Sequence, residues 1–329
     1  MDRRLAALED WITGVLDVAD FEVRPLSVDA SFRRYYRVFT GGTTSIAMDA
    51  PPDREDTRSY VEIAQRFLAL GLNVPEILHQ DVEAGFLLIS DLGDRLYLRE
   101  LREENVDRLY GDAMGALIVL QAGIFTDSSF LPEYDDALLT REMELFREWY
   151  LGRHLQLRLS ERQQGVVDRI FARLMQNALE QPKVWVHRDY HSRNLMLTKR
   201  NNPGILDFQD AVRGPVTYDL VSLLRDCYIS WPREQVESWV KGYHQLALES
   251  GVPVCDSEAQ FLEWFDRMGM QRHLKAVGIF SRLQYRDGKP TYLDDIPRTM
   301  GYVFEVCGRY RDLRPFRDLL SELGVAESP

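Results

Sequence analysis

Residues 187–194 read His-Arg-Asp-Tyr-His-Ser-Arg-Asn and follow the apolar run Val184-Trp185-Val186. Polar side chains crowded at the end of a buried strand lose hydration. They are tolerated there when they bond one another, the backbone or a ligand. A further carboxylate, Asp207, lies beyond the turn-rich segment Lys199-Arg200-Asn201-Asn202-Pro203, which separates Asn194–Thr198 from Gly204–Asp207. A turn centred near Asn201 would pair the flanks antiparallel and bring Asn194 opposite Asp207 within a residue or two. Asp189 sits just before this hairpin. Oxygen donors without thiols or imidazoles suit magnesium, which takes few protein ligands and completes its shell with phosphate oxygens.

The elements that must position these groups change character along the chain. Arg34–Phe39 and Ser45–Asp49 read as strands around Thr40-Gly41-Gly42-Thr43, a hairpin turn in which glycine supplies positive φ. Asp53–Leu70 places Tyr60, Ile63, Ala64, Phe67 and Leu68 on one helical face, with Gly71 at its C-terminal end. Val74–Leu78 and Phe86–Ile89 are two further short strands. Helical periodicity then dominates over Glu103–Phe125, Thr140–Leu151 and Ser160–Leu179, and again from Tyr218 to the C-terminus. Ser160 and Gln163 form a capping box, and Pro182 stops the run they begin. The aromatic-rich stretch Phe261–Tyr285 reads as core packing. These signals predict an α+β fold of two lobes sharing a cleft: a β-rich lobe over residues 1–92 and a larger, mostly helical lobe over 93–329.

With 329 residues, 45% of them hydrophobic, the chain is long enough for two such cores. A net charge of −12 argues against a general nucleic-acid or anionic-membrane surface, yet leaves room for phosphate binding through local arginines and a metal. Cys227, Cys255 and Cys307 lack metal-binding spacing and read as reduced thiols of a cytosolic protein. The N-terminal MDRRLAALEDWITGVL is an amphipathic helix carrying acids, unlike a signal peptide. The longest apolar stretch, Gly115–Phe125, is too short to span a bilayer. The expectation is a cytoplasmic protein acting on a small molecule, with no nucleic acid and no membrane.

His187-x-Asp189-x-x-x-x-Asn194 followed by Asp207 has the spacing of the protein-kinase catalytic loop. The chain then reads Asp207-Phe208-Gln209-Asp210, contains no Ala-Pro-Glu, and starts a new helix by Tyr218-Asp219-Leu220. That pattern resembles the aminoglycoside phosphotransferase and choline kinase family. Asp29–Arg37, Met48–Pro52, Leu206–Ala211, Gly214-Pro215 and Tyr218–Leu220 further resemble its bacterial cell-wall sugar kinases. Those enzymes phosphorylate the anomeric hydroxyl of N-acetylmuramic acid and N-acetylglucosamine in peptidoglycan recycling, and the likeness covers nearly the whole chain.

The resemblance implies ATP and Mg2+, with Asp189 orienting the acceptor hydroxyl and Asn194 and Asp207 holding the metal. His187 and Asp219 become structural supports of the loop. Ser31, Phe32, Arg33 and Arg34 would cover the phosphates, and backbone groups near Ser90 and Leu92 would meet the adenine. The strand that ends in a phosphate-binding lysine in the wider superfamily ends here in Met48, with Glu62 on the next helix where the lysine's partner is expected. Arg33, Arg34 or Arg37 is expected to supply the missing cation, since a guanidinium binds phosphate bidentately. Tyr190, His191, Gln209, Asp210, Arg213 and Arg225 are candidates to reach the acceptor, the arginines toward the lactyl carboxylate of N-acetylmuramic acid. The alternatives are a kinase of another small alcohol, of aminoglycoside or choline type, and a nucleotide-binding scaffold invited by the absent lysine.

Overall fold

The computed structural model describes residues 2–18, 20–26 and 32–325. The chain begins with α1 (Arg3–Leu16), β1 (Glu22–Pro25), β2 (Arg34–Thr40), β3 (Thr43–Asp49) and α2 (Thr57–Ala69). β4 (Ile77–Asp81), β5 (Phe86–Ser90), a single turn α3 (Tyr97–Glu100) and α4 (Val106–Ala122) follow. Next come α5 (Asp136–Leu145), a π-helix over Phe146–His154, α6 (Glu161–Glu180) and β6 (Lys183–Val186). Short strands β7 (Leu195–Met196), β8 (Gly204–Ile205) and β9 (Val212–Pro215) lead into α7 (Tyr218–Leu224), α8 (Arg233–Glu249) and α9 (Glu258–Asp287). α10 (Ile296–Arg309) and α11 (Arg314–Glu322) complete the described fold.

The chain forms two compact units, Met1–Arg102 with Arg193–Asp210, and Glu103–Ser192 with Ala211–Pro329. The first therefore reaches past the expected boundary at Leu92 and also takes in the hairpin that carries Asn194 and Asp207. Backbone hydrogen bonds explain this. Leu197 N–H donates to the Arg95 carbonyl at 2.7 Å and Ile205 N–H to that of Asn73 at 2.8 Å.

In the first unit, five strands form one antiparallel sheet in the order β1-β2-β3-β5-β4. The β2–β3 turn has Gly41 at φ 54° and Gly42 at φ 86°, the left-handed geometry a two-residue hairpin needs. Tyr36, Val38, Ala47, Phe86 and Leu88 pack with Leu8 and Ile12 of α1. Because strand side chains alternate in direction, Met48 faces the other way, and it is fully buried there. α2 starts at Thr57, later than expected, because the N–H groups of Arg54 and Glu55 turn back to the Pro51 carbonyl before Asp56 caps the helix. The strand expected over Val74–Leu78 is displaced to Ile77–Asp81. Pro75 has no N–H to give a ladder, and the Glu76 N–H donates to Ser90 Oγ at 2.9 Å.

In the second unit, the 30-residue α9 packs against α5, α6, α7, α10 and the π-helix. Phe261, Trp264, Phe265 and Phe280 are buried along it. Gly278 permits that packing, since a Cβ there would overlap the Leu145 carbonyl at the junction of α5 and the π-helix. The helix expected over Thr140–Leu151 is thus α-helical only to Leu145 before widening. The Ser160 capping box forms on α6. No helix among the described residues is long and apolar enough to cross a membrane.

Candidate active site

The first unit holds the hairpin half of the motif. β7 and β8 pair Leu195 with Ile205 and Met196 with Gly204, and Leu206 N–H donates to the Asn194 carbonyl at 2.9 Å. Asn194 and Asp207 emerge from the same end of this ladder, with Asn194 Nδ2 3.5 Å from Asp207 Oδ2. Phe208 anchors the segment by packing against Tyr60 and Phe67 of α2, with ring centroids 4.8 and 5.7 Å apart. Asp207 takes φ 62°, an uncommon conformation for a non-glycine residue. Gln209 donates to Asp207 Oδ1 at 2.7 Å. Here the amide nitrogen faces the carboxylate; with the amide turned over, its oxygen and Asp207 would be hard donors of the kind magnesium takes alongside phosphate oxygens.

Strand alternation separates the three candidate arginines. Arg34 lies on the α1 side and binds Asp49 and Asp2. Arg37 faces the other way and is held by Asp91 at 2.7 Å and the Gly93 carbonyl at 2.8 Å. Arg33 is buried, with Nε 3.2 Å from Glu55 and Nη1 3.6 Å from Asp207. Glu62 is a correction: it lies on the exposed side of α2, and the carboxylate that meets the arginine is Glu55, just before the helix. Phe32 is exposed beneath the Arg54 guanidinium, and Ser31 lies outside the described residues. The Ser90 N–H is already used by the Glu76 carbonyl at 2.9 Å, whereas the main chain of Leu92 makes no hydrogen bond among the described residues.

The second unit holds the loop after β6. Asp219, in the first turn of α7, accepts the backbone N–H groups of His187 at 2.6 Å and Arg188 at 2.9 Å. This pins a turn in which Arg188 adopts φ 76°. Burial pushes the Asp219 carboxyl up to about 7, against those two donors. His187 is fully buried, and its Nδ1 accepts the Asp189 N–H at 3.2 Å. Burial would also raise Asp189, but Lys275, His191, Arg272 and Arg188 outweigh it and bring that carboxyl down to about 2.

Behind the loop lies a buried charge network. Glu142 of α5 pairs with Arg188 and, at 2.9 Å, with Lys275 of α9, and it accepts the Tyr134 hydroxyl. Lys275 also donates to Tyr218 at 2.9 Å. Asp226 accepts the Ser192 N–H at 2.9 Å and hydroxyl at 2.5 Å, fixing the end of the loop. Glu142, Asp226, Arg272 and Lys275 were not picked out from the sequence. Glu142 and Lys275 sit in ordinary helical stretches, and Asp226 follows α7 with no motif to mark it.

The acceptor candidates fare unevenly. Tyr190 is a correction: it is fully buried, and its hydroxyl donates to the Ala113 carbonyl at 2.9 Å. Arg213 on β9 pairs with Glu133. Arg225 is buried, forms a two-pronged pair with Glu305 at 2.5 and 3.0 Å, and lies 4.9 Å from the Tyr302 ring. Both guanidiniums are thus paired with acids of their own unit. His191 packs edge-on against Tyr228, and Asp210 is exposed.

A model of the phosphotransferase enzyme family matches residues 22–257. The chain belongs to the phosphotransferase enzyme family. Within the family it is 48% identical over 297 residues to an N-acetylmuramate/N-acetylglucosamine kinase of Pseudomonas putida, covering 90% of this chain and 87% of that one. It is 44% identical to the N-acetylmuramate/N-acetylglucosamine kinase of Pseudomonas aeruginosa, covering 98% and 97%. Among solved structures it is similar to the ADP-bound aminoglycoside phosphotransferase APH(2'')-Ib, with a TM-score of 0.56, 16% identity, and 93% and 99% of the two chains covered. This last likeness concerns the fold. It agrees with the expected kinase-like arrangement of a five-stranded antiparallel unit and a mostly helical one.

Proposed function

We propose that this phosphotransferase uses ATP to phosphorylate the anomeric hydroxyl of an amino sugar, N-acetylmuramate or N-acetylglucosamine, in the cytoplasmic reuse of cell-wall sugars. One observation carries the reading: identity of 44% over almost the full length of a kinase with those acceptors in its name, in a chain that itself carries Asp189, Asn194 and Asp207.

In this reaction the anomeric oxygen bonds to the γ-phosphorus while the bond from that phosphorus to the β–γ bridging oxygen breaks. ADP leaves and the hydroxyl proton passes to Asp189. A carboxylate held near 2 is ionised at any physiological pH and is a weak base. That suffices where the transition state is loose and the proton leaves late. The second oxygen on the anomeric carbon also makes this hydroxyl more acidic than an ordinary alcohol. Asn194 and Asp207 would hold magnesium, which neutralises phosphate oxygens when bound. Arg33, oriented by Glu55, takes the place of the strand lysine, because Arg34 and Arg37 are committed to Asp49 and Asp91. The main chain of Leu92 is the group that meets the adenine.

Incubation with ATP, magnesium and a panel of amino sugars, aminoglycosides and choline tests the reading. The expected product is a sugar phosphate released by mild acid, as glycosyl phosphates are. Phosphate on a non-anomeric hydroxyl, or turnover of choline or an aminoglycoside alone, overturns the substrate assignment. No turnover with any acceptor would favour a nucleotide-binding scaffold.

A further inference from the structure

Three basic residues of the second unit that act on Asp189 are Lys275, Arg272 and Arg188. Two of them share a carboxylate, since Lys275 and Arg188 both pair with Glu142. Arg272 has none. It is only 6% exposed, it forms no ion pair among the described residues, and its one hydrogen bond is a 3.8 Å contact to Cys227 Sγ. Asp189 and Asp226 act on Arg272 without forming an ion pair with it, and its other polar neighbours are engaged elsewhere. Asp226 is taken by Ser192 and by the Tyr228 N–H, and the Tyr218 hydroxyl accepts from Lys275. The adjacent His273 bonds the Arg225 carbonyl at 2.8 Å, and burial holds it down at about 3, so it stays neutral.

Asp189 and Asp226 attract this buried guanidinium, yet neither pairs with it, and beyond the weak sulfur contact its N–H donors make no hydrogen bond among the described residues. Such a group is compensated when an anion enters. We propose that Arg272 receives the carboxylate of the acceptor, the lactyl group on C3 of N-acetylmuramate, through a forked pair of hydrogen bonds. The inference rests on the amino-sugar reading above. The ring carbon that bears the lactyl ether lies two ring bonds from C1, whose hydroxyl Asp189 orients. N-acetylglucosamine carries a plain hydroxyl at C3, so Arg272 sets the preference between the two sugars.

The test compares kcat/KM for N-acetylmuramate, its methyl ester and N-acetylglucosamine in the wild type and in Arg272→Gln and Arg272→Lys. The readout is the ratio of N-acetylmuramate to N-acetylglucosamine, because any shared loss through Asp189 cancels. Loss of a hydrogen-bonded charge pair is expected to lower that ratio roughly 10- to 100-fold in Arg272→Gln, with partial recovery in Arg272→Lys. The wild type should lose a similar factor on the methyl ester, and Arg272→Gln little more. The ester comparison needs no variant, so it stands even if Arg272→Gln fails to fold. Equal losses on both sugars would mean that Arg272 serves the transferring phosphoryl group or the loop, and would overturn the assignment. So would equal use of acid and ester by the wild type. If the wild type phosphorylates neither sugar, the amino-sugar reading itself fails.

Discussion

Glu142 binds two cations in a site sealed from water, so replacing it with glutamine should leave both short of an anion. The Glu142 and Lys275 side chains are 6% and 10% exposed, and their charged atoms are 2.9 Å apart. At that distance, with an effective dielectric of ~20, the attraction is about 6 kcal/mol before desolvation is subtracted. Burial would raise Glu142, yet Lys275 and Arg188 hold it below the usual glutamate range, so the pair is ionised at neutral pH. Removing one partner of a buried pair costs about 3–5 kcal/mol, because the stranded charge stays buried. Glu142→Gln should therefore lower the stability of its unit by that amount. In a unit of this size the melting temperature should fall by roughly 6–20 °C. Urea denaturation of Glu142→Gln, Lys275→Met and the double variant measures the effect. The double variant should be less destabilised than the sum of the singles, with a coupling of about 1–3 kcal/mol. A single-variant loss under ~1 kcal/mol, or strictly additive losses, would show that the network does not hold the loop after β6 in the way its geometry implies.

Arg33→Ala is expected to raise the Michaelis constant for ATP roughly 10- to 100-fold, the scale of a lost charge-assisted phosphate contact, while Arg33→Lys recovers part; unchanged ATP kinetics in steady-state assays would rule Arg33 out as the replacement cation. Asp189→Asn should lower kcat by about 10²- to 10⁴-fold with little change in ATP binding, and an ATP affinity that falls as far as kcat would mean the residue serves binding instead. Asp219 titrates near 7 in the fold, above its unfolded value of 3.8, so the native state holds the extra proton and stability declines as pH rises from about 4 to about 7. That decline is on the order of 4 kcal/mol. Asp219→Asn should flatten it in denaturation curves taken across pH 5–7, and an unchanged slope would assign the titration to another group.

The local half of the site was readable because its information is local. A fixed spacing from His187 to Asn194, a turn of known length and a strand period of two suffice to bring Asn194 and Asp207 together. The same period separates Arg34 from Arg37 along β2. The β2–β3 hairpin and the Ser160 cap follow from two glycines and a Ser-x-x-Gln in the same way. Helix and strand ends shifted where a proline or a tight turn withdrew an N–H, as at Pro75 and before Asp56.

Chain order by itself brought Asn194 and Asp207 to one end of a hairpin, and the spacing of His187, Asp189, Asn194 and Asp207 placed the family. Tertiary structure alone decided which charges the loop after β6 lives among. Asp219 reaches back across 32 residues to the His187 N–H. Glu142 and Lys275 come from helices with no shared pattern, and Gly278 matters only because another backbone passes beside it. Such choices depend on which surfaces are buried against each other. A buried charge is stable only beside a partner, and that partner's place along the chain is free to vary so long as packing returns it to the same spot.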